Sequence, residues 1–246
     1  MPGPGHAHVS VDKHPAKIAG MFDAIARRYD LLNHLLSGGL DLYWRARAIR
    51  TLGFTGEEAV LDLCTGTGDF ALAALRPRRR AARRVVGLDF SGEMLRVGQA
   101  KLRARRLSAR APLVRADAMR LPLADHSMDA ATMAFGVRNV QDPDVACAEV
   151  FRVLRPGGQL AILEFSLPVR PWLRRLYLWY FRHVLPRIGR LISRHGDAYT
   201  YLPESVGAFF PPDAFAALVT RAGFSEVRAV PITFGVVYLY TARKPR

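Results

Sequence analysis

The fold of this chain is decided by the stretch Val60-Leu61-Asp62-Leu63-Cys64-Thr65-Gly66-Thr67-Gly68-Asp69. A short apolar run passes directly into two closely spaced glycines, and a helical pattern begins at Asp69. Glycine permits the positive φ angles that a tight turn needs, and it lets a ligand lie against the main chain. The stretch therefore predicts a strand, a ligand-binding turn and a helix, in that order.

The rest of the chain continues this alternation of strand and helix. Strands are predicted at 59–63, 85–88, 113–116, 129–135 and 159–165, with a closing pair at 227–233 and 236–241. Helices are predicted at 17–37, 42–52, 69–75, 91–105, 143–154 and 212–222. In the first helix, apolar residues recur at the spacing of an amphipathic helix. Strands that alternate with helices predict a doubly wound α/β fold with a parallel sheet.

Two segments depart from the alternation. Residues 168–212 mix aromatic side chains with arginines, and we interpret them as a helical insert within a single domain of residues 17–246. Residues 1–16 are rich in Gly, Pro and His and lack the apolar core of a signal peptide, so we expect a disordered tail and a cytoplasmic protein. No apolar run reaches the roughly 20 residues of a membrane-spanning helix.

The composition is strongly basic. The formal net charge is +15, and such a balance favours polyanionic partners, either nucleic acid or the anionic face of a membrane. Part of the charge is concentrated in one short connection, which we interpret as a solvated loop. Its arginines are Arg76, Arg78, Arg79, Arg80, Arg83 and Arg84.

The two cysteines of the chain, Cys64 and Cys147, lie far apart in sequence. Neither belongs to a closely spaced pair of the kind that binds zinc or builds a disulfide framework. We therefore expect two reduced, buried thiols and no metal.

Acidic side chains lie at or after the ends of three predicted strands. Asp62 lies beside the glycine turn, Asp89 closes the second strand, and Asp117 follows the third. Ligands of open α/β sheets bind at the carboxyl edge of the strands, so we expect the three carboxylates near one ligand. A carboxylate at the position of Asp89 can accept both hydroxyls of a ribose, and Asp117 is placed to meet an adenine edge.

Two ligands compete for the turn. The pattern Gly66-x-Gly68-x-x-Ala71 also matches the dinucleotide fingerprint, whose helix N-terminus receives a pyrophosphate. Asp62 argues against that ligand, because a carboxylate repels a pyrophosphate but suits the cationic methionine end of S-adenosylmethionine. We therefore favour a methyltransferase over a nucleotide oxidoreductase. A binding module without enzymatic activity is a third option.

Several further segments resemble the UbiE/MenG family of quinone C-methyltransferases. The resemblance covers about residues 17–243, and its most specific parts lie at 135–139 and 199–202. The segments that carry it are Met21-Phe22-Asp23-Ala24-Ile25-Ala26-Arg27-Arg28-Tyr29-Asp30-Leu31-Leu32-Asn33, Trp44-Arg45, Phe135-Gly136-Val137-Arg138-Asn139-Val140, Arg152-Val153-Leu154-Arg155-Pro156-Gly157-Gly158, Leu163-Glu164-Phe165-Ser166, His183-Val184-Leu185-Pro186 and Tyr199-x-Tyr201-Leu202-Pro203-x-Ser205.

The resemblance implies a class I S-adenosylmethionine-dependent methyltransferase. Such a protein has a Rossmann-like, seven-stranded, mostly parallel sheet with helices on both faces, here with an N-terminal helical lid. Combined with the motif above, it predicts cofactor contacts at Asp62, Gly66, Thr67, Gly68, Asp89, Asp117, Ala118 and Ala134. Many members of the family have Ser where this chain has Ala134, so only a backbone contact is expected there.

The reaction that the resemblance implies is methylation of demethylmenaquinol to menaquinol. The alternative is methylation of 2-methoxy-6-polyprenyl-1,4-benzoquinol in ubiquinone biosynthesis, and a combined activity is left open. We favour the first. S-Adenosylmethionine is already activated, so no metal is required. The reduced quinol is the expected substrate, because carbon methylation needs an electron-rich ring.

Three residues are predicted to act on the quinol. Arg138 stays protonated, so we expect it to stabilise a developing phenolate or to orient a water that takes the proton. Asn139 is expected to hold a quinol oxygen, and Tyr29 to reach the pocket from the lid. Three histidines are candidate bases for which surface or packing positions are favoured: His34, His183 and His195.

A lipid-tailed substrate gives the helical insert a use. Aromatic residues between Trp172 and Arg194 are suited to line a groove for the isoprenoid tail, while the arginines face anionic headgroups. We therefore expect peripheral contact with an anionic membrane, with an ordinary packed cover over the sheet as the alternative. A nucleic-acid methyltransferase is disfavoured, because the chain has no appended RNA-binding module and no Asn-Pro-Pro-Tyr-type motif. The oligomeric state is left open.

Overall fold

The chain forms a seven-stranded sheet in the computed structural model, which describes residues 13–76, 80–184 and 197–246. The strands are β1 (Ala59–Leu63), β2 (Arg84–Asp89), β3 (Leu113–Arg115), β4 (Met128–Ala134), β5 (Leu154–Phe165), β6 (Ser225–Ile232) and β7 (Val237–Arg243). Their order across the sheet is β3-β2-β1-β4-β5-β7-β6. Strand β7 runs antiparallel to β5 and β6, and the other neighbouring pairs are parallel. The predicted doubly wound, mostly parallel sheet is confirmed.

The order of the strands reverses between β1 and β4. Leu63 at the end of β1 pairs with Leu88 on one side and with Met133 on the other. The turns after β1, β2 and β4 therefore emerge side by side at the carboxyl edge. In open α/β sheets, such a reversal creates the crevice in which ligands bind.

Helices cover both faces of this sheet. They are α1 (Pro15–Leu36), α2 (Leu40–Leu52), α3 (Asp69–Leu75), α4 (Gly92–Ala104), α5 (Pro143–Val153), α6 (Pro171–Trp179), α7 (Asp197–Ala208) and α8 (Pro212–Arg221). Ser91 caps α4, since its hydroxyl accepts the backbone N–H of Met94 at 3.1 Å. Asp142 caps α5 by accepting the N–H groups of Asp144 and Val145. Short 3-10 helices at Val137–Asn139 and Thr233–Gly235 complete the turns after β4 and β6.

Apolar clusters lie on both faces of the sheet. All five residues of β1 are buried, with Leu61 and Leu63 in one cluster and Val60 in the other. A parallel strand covered on both faces reads as a continuous apolar run, which is why the sequence around Val60 shows no alternation. The central strand is thus fixed from two sides, and the turn that follows it starts from a rigid base.

Several boundaries differ from the predicted ones, most clearly the starts of α1 and β5. Helix α1 begins at Pro15, inside the expected tail, because proline is well suited to the first helical turn; residues 1–12 lie outside the described residues. Strand β5 begins at Leu154, and its register against β4 shifts between Met128 and Ala130. The segment 155–158, which the predicted helix and strand leave between them, is therefore a bulge within the strand, with Gly157 at a φ of 79°.

The predicted insert contains helices in its described parts. Helix α6 continues into a π-helical turn at Tyr180–Val184, and α7 precedes α8. Residues 185–196 lie outside the described residues, and with them His195. Within the described parts of the chain, no helix is long and apolar enough to cross a membrane.

Candidate active site

The glycine turn after β1 borders a first cavity at the carboxyl edge of the sheet. Gly66 and Gly68 adopt φ angles of 55° and 79°, and Cys64 before them has a φ of 53°. The left-handed conformation explains the two glycines, and at Cys64 it is an unusual backbone for a residue with a side chain. Five of the predicted cofactor residues line this first cavity: Gly66, Asp89, Asp117, Ala118 and Ala134.

Two carboxylates of the first cavity come from the edge of neighbouring strands. Asp89 ends β2, and its two oxygens accept the backbone N–H groups of Gly66 at 2.7 Å and Ser91 at 2.9 Å. Burial raises the pKa of Asp89, and these two N–H groups act in the opposite direction. Asp117 follows β3 and accepts the N–H of Met119 at 2.9 Å. Asp89 thus ties the glycine turn to β2 while its carboxylate still borders the cavity.

Asp62 does not take the position expected from the sequence. Its carboxylate does not line the first cavity but is buried beneath the turn, with 1% of the residue exposed. It accepts hydrogen bonds from the hydroxyls of Thr65 at 2.5 Å and Thr132 at 2.9 Å and from the N–H of Ala71 at 3.1 Å. Burial raises the pKa of Asp62 to about 6. Asp62 therefore holds the turn and the start of α3 in place, because its side chain points back into the sheet.

Thr67 and Gly68 also lie behind the first cavity rather than on its wall. The hydroxyl of Thr67 donates to Asp30 of α1, and Lys101 of α4 contacts the same hydroxyl at 3.3 Å. Lys101 forms ion pairs with Asp30 at 2.6 Å and with Asp69. The turn is thereby connected to two helices through a small polar network.

The turn after β4 approaches the turn after β1 very closely. A Cβ atom added to Gly136 would lie 2.3 Å from the Cβ of Cys64. Only glycine permits this approach, since real Cβ atoms do not come so near to another carbon. Gly136 therefore joins the two turns at the wall of the first cavity, which Ala134, Phe135 and Gly136 all line.

Helix α1 packs across the first cavity. Ile18, Phe22 and Tyr29 of this helix line it. The rings of Phe22 and Tyr29 meet edge to face with centroids 6.0 Å apart. Burial raises the pKa of the Tyr29 hydroxyl. The predicted position of Tyr29 at the pocket is observed, and α1 covers the cavity in the manner of a lid.

Lys13 was missed by the sequence reasoning, because it lies in the segment expected to be a tail. It lines the first cavity immediately before α1. Burial lowers the pKa of Lys13, and the nearby Glu164 carboxylate acts in the opposite direction. No pattern in the sequence distinguishes this lysine from a solvated one.

A second, larger cavity adjoins the first and shares Phe22, Tyr29 and Phe135 with it. Its walls are strongly aromatic. Phe135 stacks on Phe165 with centroids 4.4 Å apart, and Trp44 meets both rings edge to face. Helices α1, α2, α6 and α7 supply the remaining walls. The arrangement suits a flat apolar ring beside the first cavity.

Arg138 lines the second cavity, and only 5% of it is exposed. Its Nη1 donates to Glu164 Oε1 at 2.8 Å and to the carbonyl of Phe135, and its Nε donates to Ser205 Oγ at 3.3 Å. Its Nη2 has no hydrogen-bond partner within the described parts of the chain. The buried Glu164 thus fixes the guanidinium of Arg138, and its Nη2 remains available to a ligand.

Asn139 lines the first cavity beside this guanidinium. Its Oδ1 accepts the hydroxyl of Tyr201 at 3.0 Å, and Ser205 donates to the carbonyl of Leu202 at 3.0 Å. The segments 135–140 and 199–205 are thus in direct contact across the boundary of the two cavities. Glu164, Tyr201 and Ser205 were not predicted as site residues, although the resembling segments contain all three.

The two candidate histidines that the structure describes, His34 and His183, line neither cavity. His34 Nδ1 contacts Asp41 at 2.9 Å and faces a different groove. His183 is exposed, and its Nδ1 contacts the carbonyl of Trp179 at 3.1 Å. Among the described residues, His34, Asp41 and Asp69 come close enough to hold a cation, but Arg45 and Lys101 already pair with the two carboxylates.

The sheet order, the glycine turn and the acidic strand ends define a Rossmann-like, S-adenosylmethionine-dependent methyltransferase of class I. Solved structures agree on this fold. The [4+2]-cyclase SpnF superposes with a TM-score of 0.65 at 18% identity over 94% of this chain and 97% of its own. A methyltransferase from Aquifex aeolicus gives 0.57 at 18% identity over 94% and 97%. At such identities, the likeness shows the fold alone.

The chain belongs to the ubiE/COQ5 methyltransferase family, whose sequence model matches residues 10–244. It is 49% identical to the ubiquinone/menaquinone biosynthesis C-methyltransferase UbiE of Syntrophotalea carbinolica, over 90% of this chain and 91% of that protein. It is 47% identical to the demethylmenaquinone methyltransferase of Thermus thermophilus, over 92% of this chain and 100% of that protein. The resemblance stated from the sequence is confirmed.

Proposed function

We propose that this protein transfers the methyl group of S-adenosylmethionine to a ring carbon of a polyprenylated quinol, with demethylmenaquinol as the preferred substrate. The observation that carries the proposal is the pair of joined cavities. One is bordered by the turn and two carboxylates, and the other is aromatic with a buried arginine. The names of the relatives support the same chemistry, since they describe quinone C-methylation.

The residues that line the first cavity suit S-adenosylmethionine. Asp89 and Asp117 offer acceptors for ribose hydroxyls and an adenine amino group, while Leu88 and Met94 supply apolar walls for a flat base. Gly66 exposes its main chain at the turn. When bound, S-adenosylmethionine supplies an electrophilic methyl group. The chain contributes position and exclusion of water, for which α1 provides the cover.

The second cavity fits the quinol ring. Phe135 belongs to both cavities, so a ring that lies in the second cavity is next to the first. We expect the Nη2 of Arg138 to pair with a quinol oxygen and so favour the loss of its proton to water, because the resulting phenolate has a more nucleophilic ring carbon than the neutral quinol. Asn139, fixed by Tyr201, is placed to orient the same or a second oxygen. The paired guanidinium stays charged and therefore does not serve as the base.

The isoprenoid tail of the substrate resides in the membrane, so we expect the protein to bind its substrate at the membrane surface. Helix α6 exposes Trp172, Leu176 and Trp179 at 61%, 54% and 54%. These residues are spaced four and three apart, so they form one apolar stripe, and Arg174 and Arg175 lie beside it. We propose that this stripe rests on an anionic bilayer while Tyr177 and Tyr180 line the second cavity from the same segment.

Methyl transfer from labelled S-adenosylmethionine tests the function. Demethylmenaquinol and 2-methoxy-6-polyprenyl-1,4-benzoquinol are offered separately, each with and without a reductant. We expect methylated naphthoquinol only under reduction, and faster turnover with this ring than with the benzoquinol. Faster methylation of the benzoquinol would indicate that the natural substrate belongs to ubiquinone biosynthesis. If neither quinol is methylated although S-adenosylmethionine still binds, the proposed substrate class is wrong.

A further inference from the structure

A third concave surface lies between α2, the end of α3 and the end of α4, and it shares Arg45 with the second cavity. Its volume of about 1210 Å³ exceeds the 110 Å³ and 290 Å³ of the first and second cavities. We call this surface the basic groove. It includes Arg76 and Arg80 of the arginine-rich connection at 76–84, which we interpreted from the sequence as a solvated loop.

The basic groove has an arginine rim. Four exposed arginines line it: Arg50, Arg76, Arg80 and Arg105. None of the four forms an ion pair with a carboxylate in the described ranges 13–76, 80–184 and 197–246. The one carboxylate that lines the groove, Asp69, is already paired with Lys101. The rim therefore carries uncompensated positive charge.

The floor of the basic groove is apolar. Ile49, Phe54, Leu72 and Ala73 contribute to it. An apolar floor beneath a cationic rim fits an amphiphile with an anionic head, because the head can pair with arginine while the chain covers the floor. Inorganic phosphate or an RNA backbone would use the rim but leave the floor uncovered.

The neighbouring surface is suited to a bilayer. Leu42 and Tyr43 line the edge of the groove and are 53% and 45% exposed. Leu40, in the same turn of α2, is 42% exposed and lines the second cavity. One helical turn therefore connects the groove with the proposed quinol site.

We infer that the basic groove binds anionic phospholipids and is the part of the protein that makes membrane docking depend on lipid charge. Guanidinium groups of Arg50, Arg76, Arg80 and Arg105 pair with the phosphates, and Leu42 and Tyr43 enter the interfacial layer. Docking there brings the Leu40 wall of the second cavity against the lipid. The inference deepens the proposed function and rests on a lipid-tailed substrate.

Flotation of the full-length protein with vesicles tests the inference. The vesicles consist of phosphatidylcholine, with or without phosphatidylglycerol. The test variant carries Arg50→Gln, Arg76→Gln and Arg80→Gln. The matched control removes the same charge from exposed arginines outside the groove, by Arg103→Gln, Arg106→Gln and Arg228→Gln. Each basic side chain at an anionic surface strengthens binding about fivefold.

We expect the groove variant to lose binding to phosphatidylglycerol vesicles by about tenfold to 100-fold, and the control by a much smaller factor. If the two variants lose vesicle binding equally, the groove is not the lipid site, and binding depends on net charge alone. Retention of lipid binding together with loss of tRNA binding in the groove variant would also overturn it, in favour of a nucleic-acid surface.

A second readout separates this inference from the proposed function. Methyl transfer to a short-chain quinol in solution is measured for all three proteins. We expect equal rates, since none of the altered arginines lines the first or second cavity. If the wild-type protein methylates no quinol but its flotation still depends on the groove arginines, the proposed function is wrong and the lipid site stands. If it methylates the quinol but its flotation does not depend on these arginines, the proposed function stands and the lipid site is wrong.

Discussion

At the scale of single residues, the site depends on buried charge. Asp62 and the Arg138–Glu164 pair are both almost inaccessible to water, and each is surrounded by hydrogen bonds. A charge in such a position costs free energy that its partners must offset. The two cases differ: Asp62 fixes the turn from behind, whereas we propose that Arg138 offers its Nη2 to the substrate.

The titration of Asp62 gives a prediction about pH. Its pKa is raised from an ordinary 3.8 to about 6, so an ionised Asp62 costs the folded state ~3 kcal/mol. The carboxyl is protonated in both states at low pH, and the cost develops as the pH rises from about 4 to about 6. Compared with Asp62→Asn, the wild-type free energy of unfolding should therefore fall across this range.

Urea unfolding of both proteins at several pH values measures this difference. Asn can replace the carboxyl here, since Thr132 can turn its hydroxyl to Leu61 O, 3.3 Å away, and accept from the amide. A difference in the free energy of unfolding that stays constant between pH 4 and pH 6 would contradict the buried titration.

The role of Arg138 gives a prediction about kinetics. Arg138→Lys keeps the charge but loses the Nη2 donor, so kcat should fall by about 10²- to 10³-fold while the Kd for S-adenosylmethionine changes by less than about threefold. The matched control is Arg152→Lys. Arg152 also forms ion pairs, with Glu149 at 2.7 Å and with Asp125 at 2.7 Å, and it lines neither cavity.

We expect the control to lower the melting temperature without a comparable loss of kcat. Steady-state rates and calorimetry on both variants decide the point. If the two substitutions reduce kcat alike, or if cofactor affinity falls together with kcat, then Arg138 supports the structure and does not act on the quinol.

At the scale of elements, two turns and one helix create the site. The sequence predicted the turn after β1 from its glycines and the acidic ends of β2 and β3 from their positions. It could not reveal that Asp62 turns inward, since the two faces of a strand buried on both sides carry the same apolar pattern. Nor could it place Glu164 under Arg138, because that pairing joins segments 26 residues apart. Tertiary packing decides both.

Asp30 holds helix α1 over the glycine turn, because it contacts Thr67 of the turn and Lys101 of α4. Asp30→Asn should loosen this cover, because it weakens the ion pair to α4. The pair is partly exposed, with side-chain accessibilities of 26% for Asp30 and 18% for Lys101. We therefore expect a modest rise in the Kd for S-adenosylmethionine, about threefold to tenfold, with kcat at saturation nearly unchanged.

The matched control is Asp144→Asn, which removes an exposed ion pair with Arg221; neither residue lines the first or second cavity. Isothermal titration at low and high salt gives the affinities. High salt should narrow the gap between wild type and Asp30→Asn. An affinity for Asp30→Asn as high as that of the control would show that α1 is held by apolar packing alone.

At the scale of the whole molecule, the fold could be predicted well and the surfaces could not. Alternating strands and helices specified the sheet, and the resembling segments specified the family. The net charge of +15 indicated a polyanion without indicating a location. Only the folded chain brings Arg50 of α2 beside Arg76, Arg80 and Arg105. Surface charge is uninformative in sequence, because a solvated face and a binding face have the same composition.

The central claim is that this protein methylates a quinol on carbon. The most direct measurement uses S-adenosylmethionine with a ¹³C-labelled methyl group and demethylmenaquinol under reducing conditions, followed by NMR of the extracted product. The account predicts a new methyl signal bonded to a ring carbon. A methoxy signal, or label recovered in no quinone product while S-adenosylmethionine still binds, would contradict it.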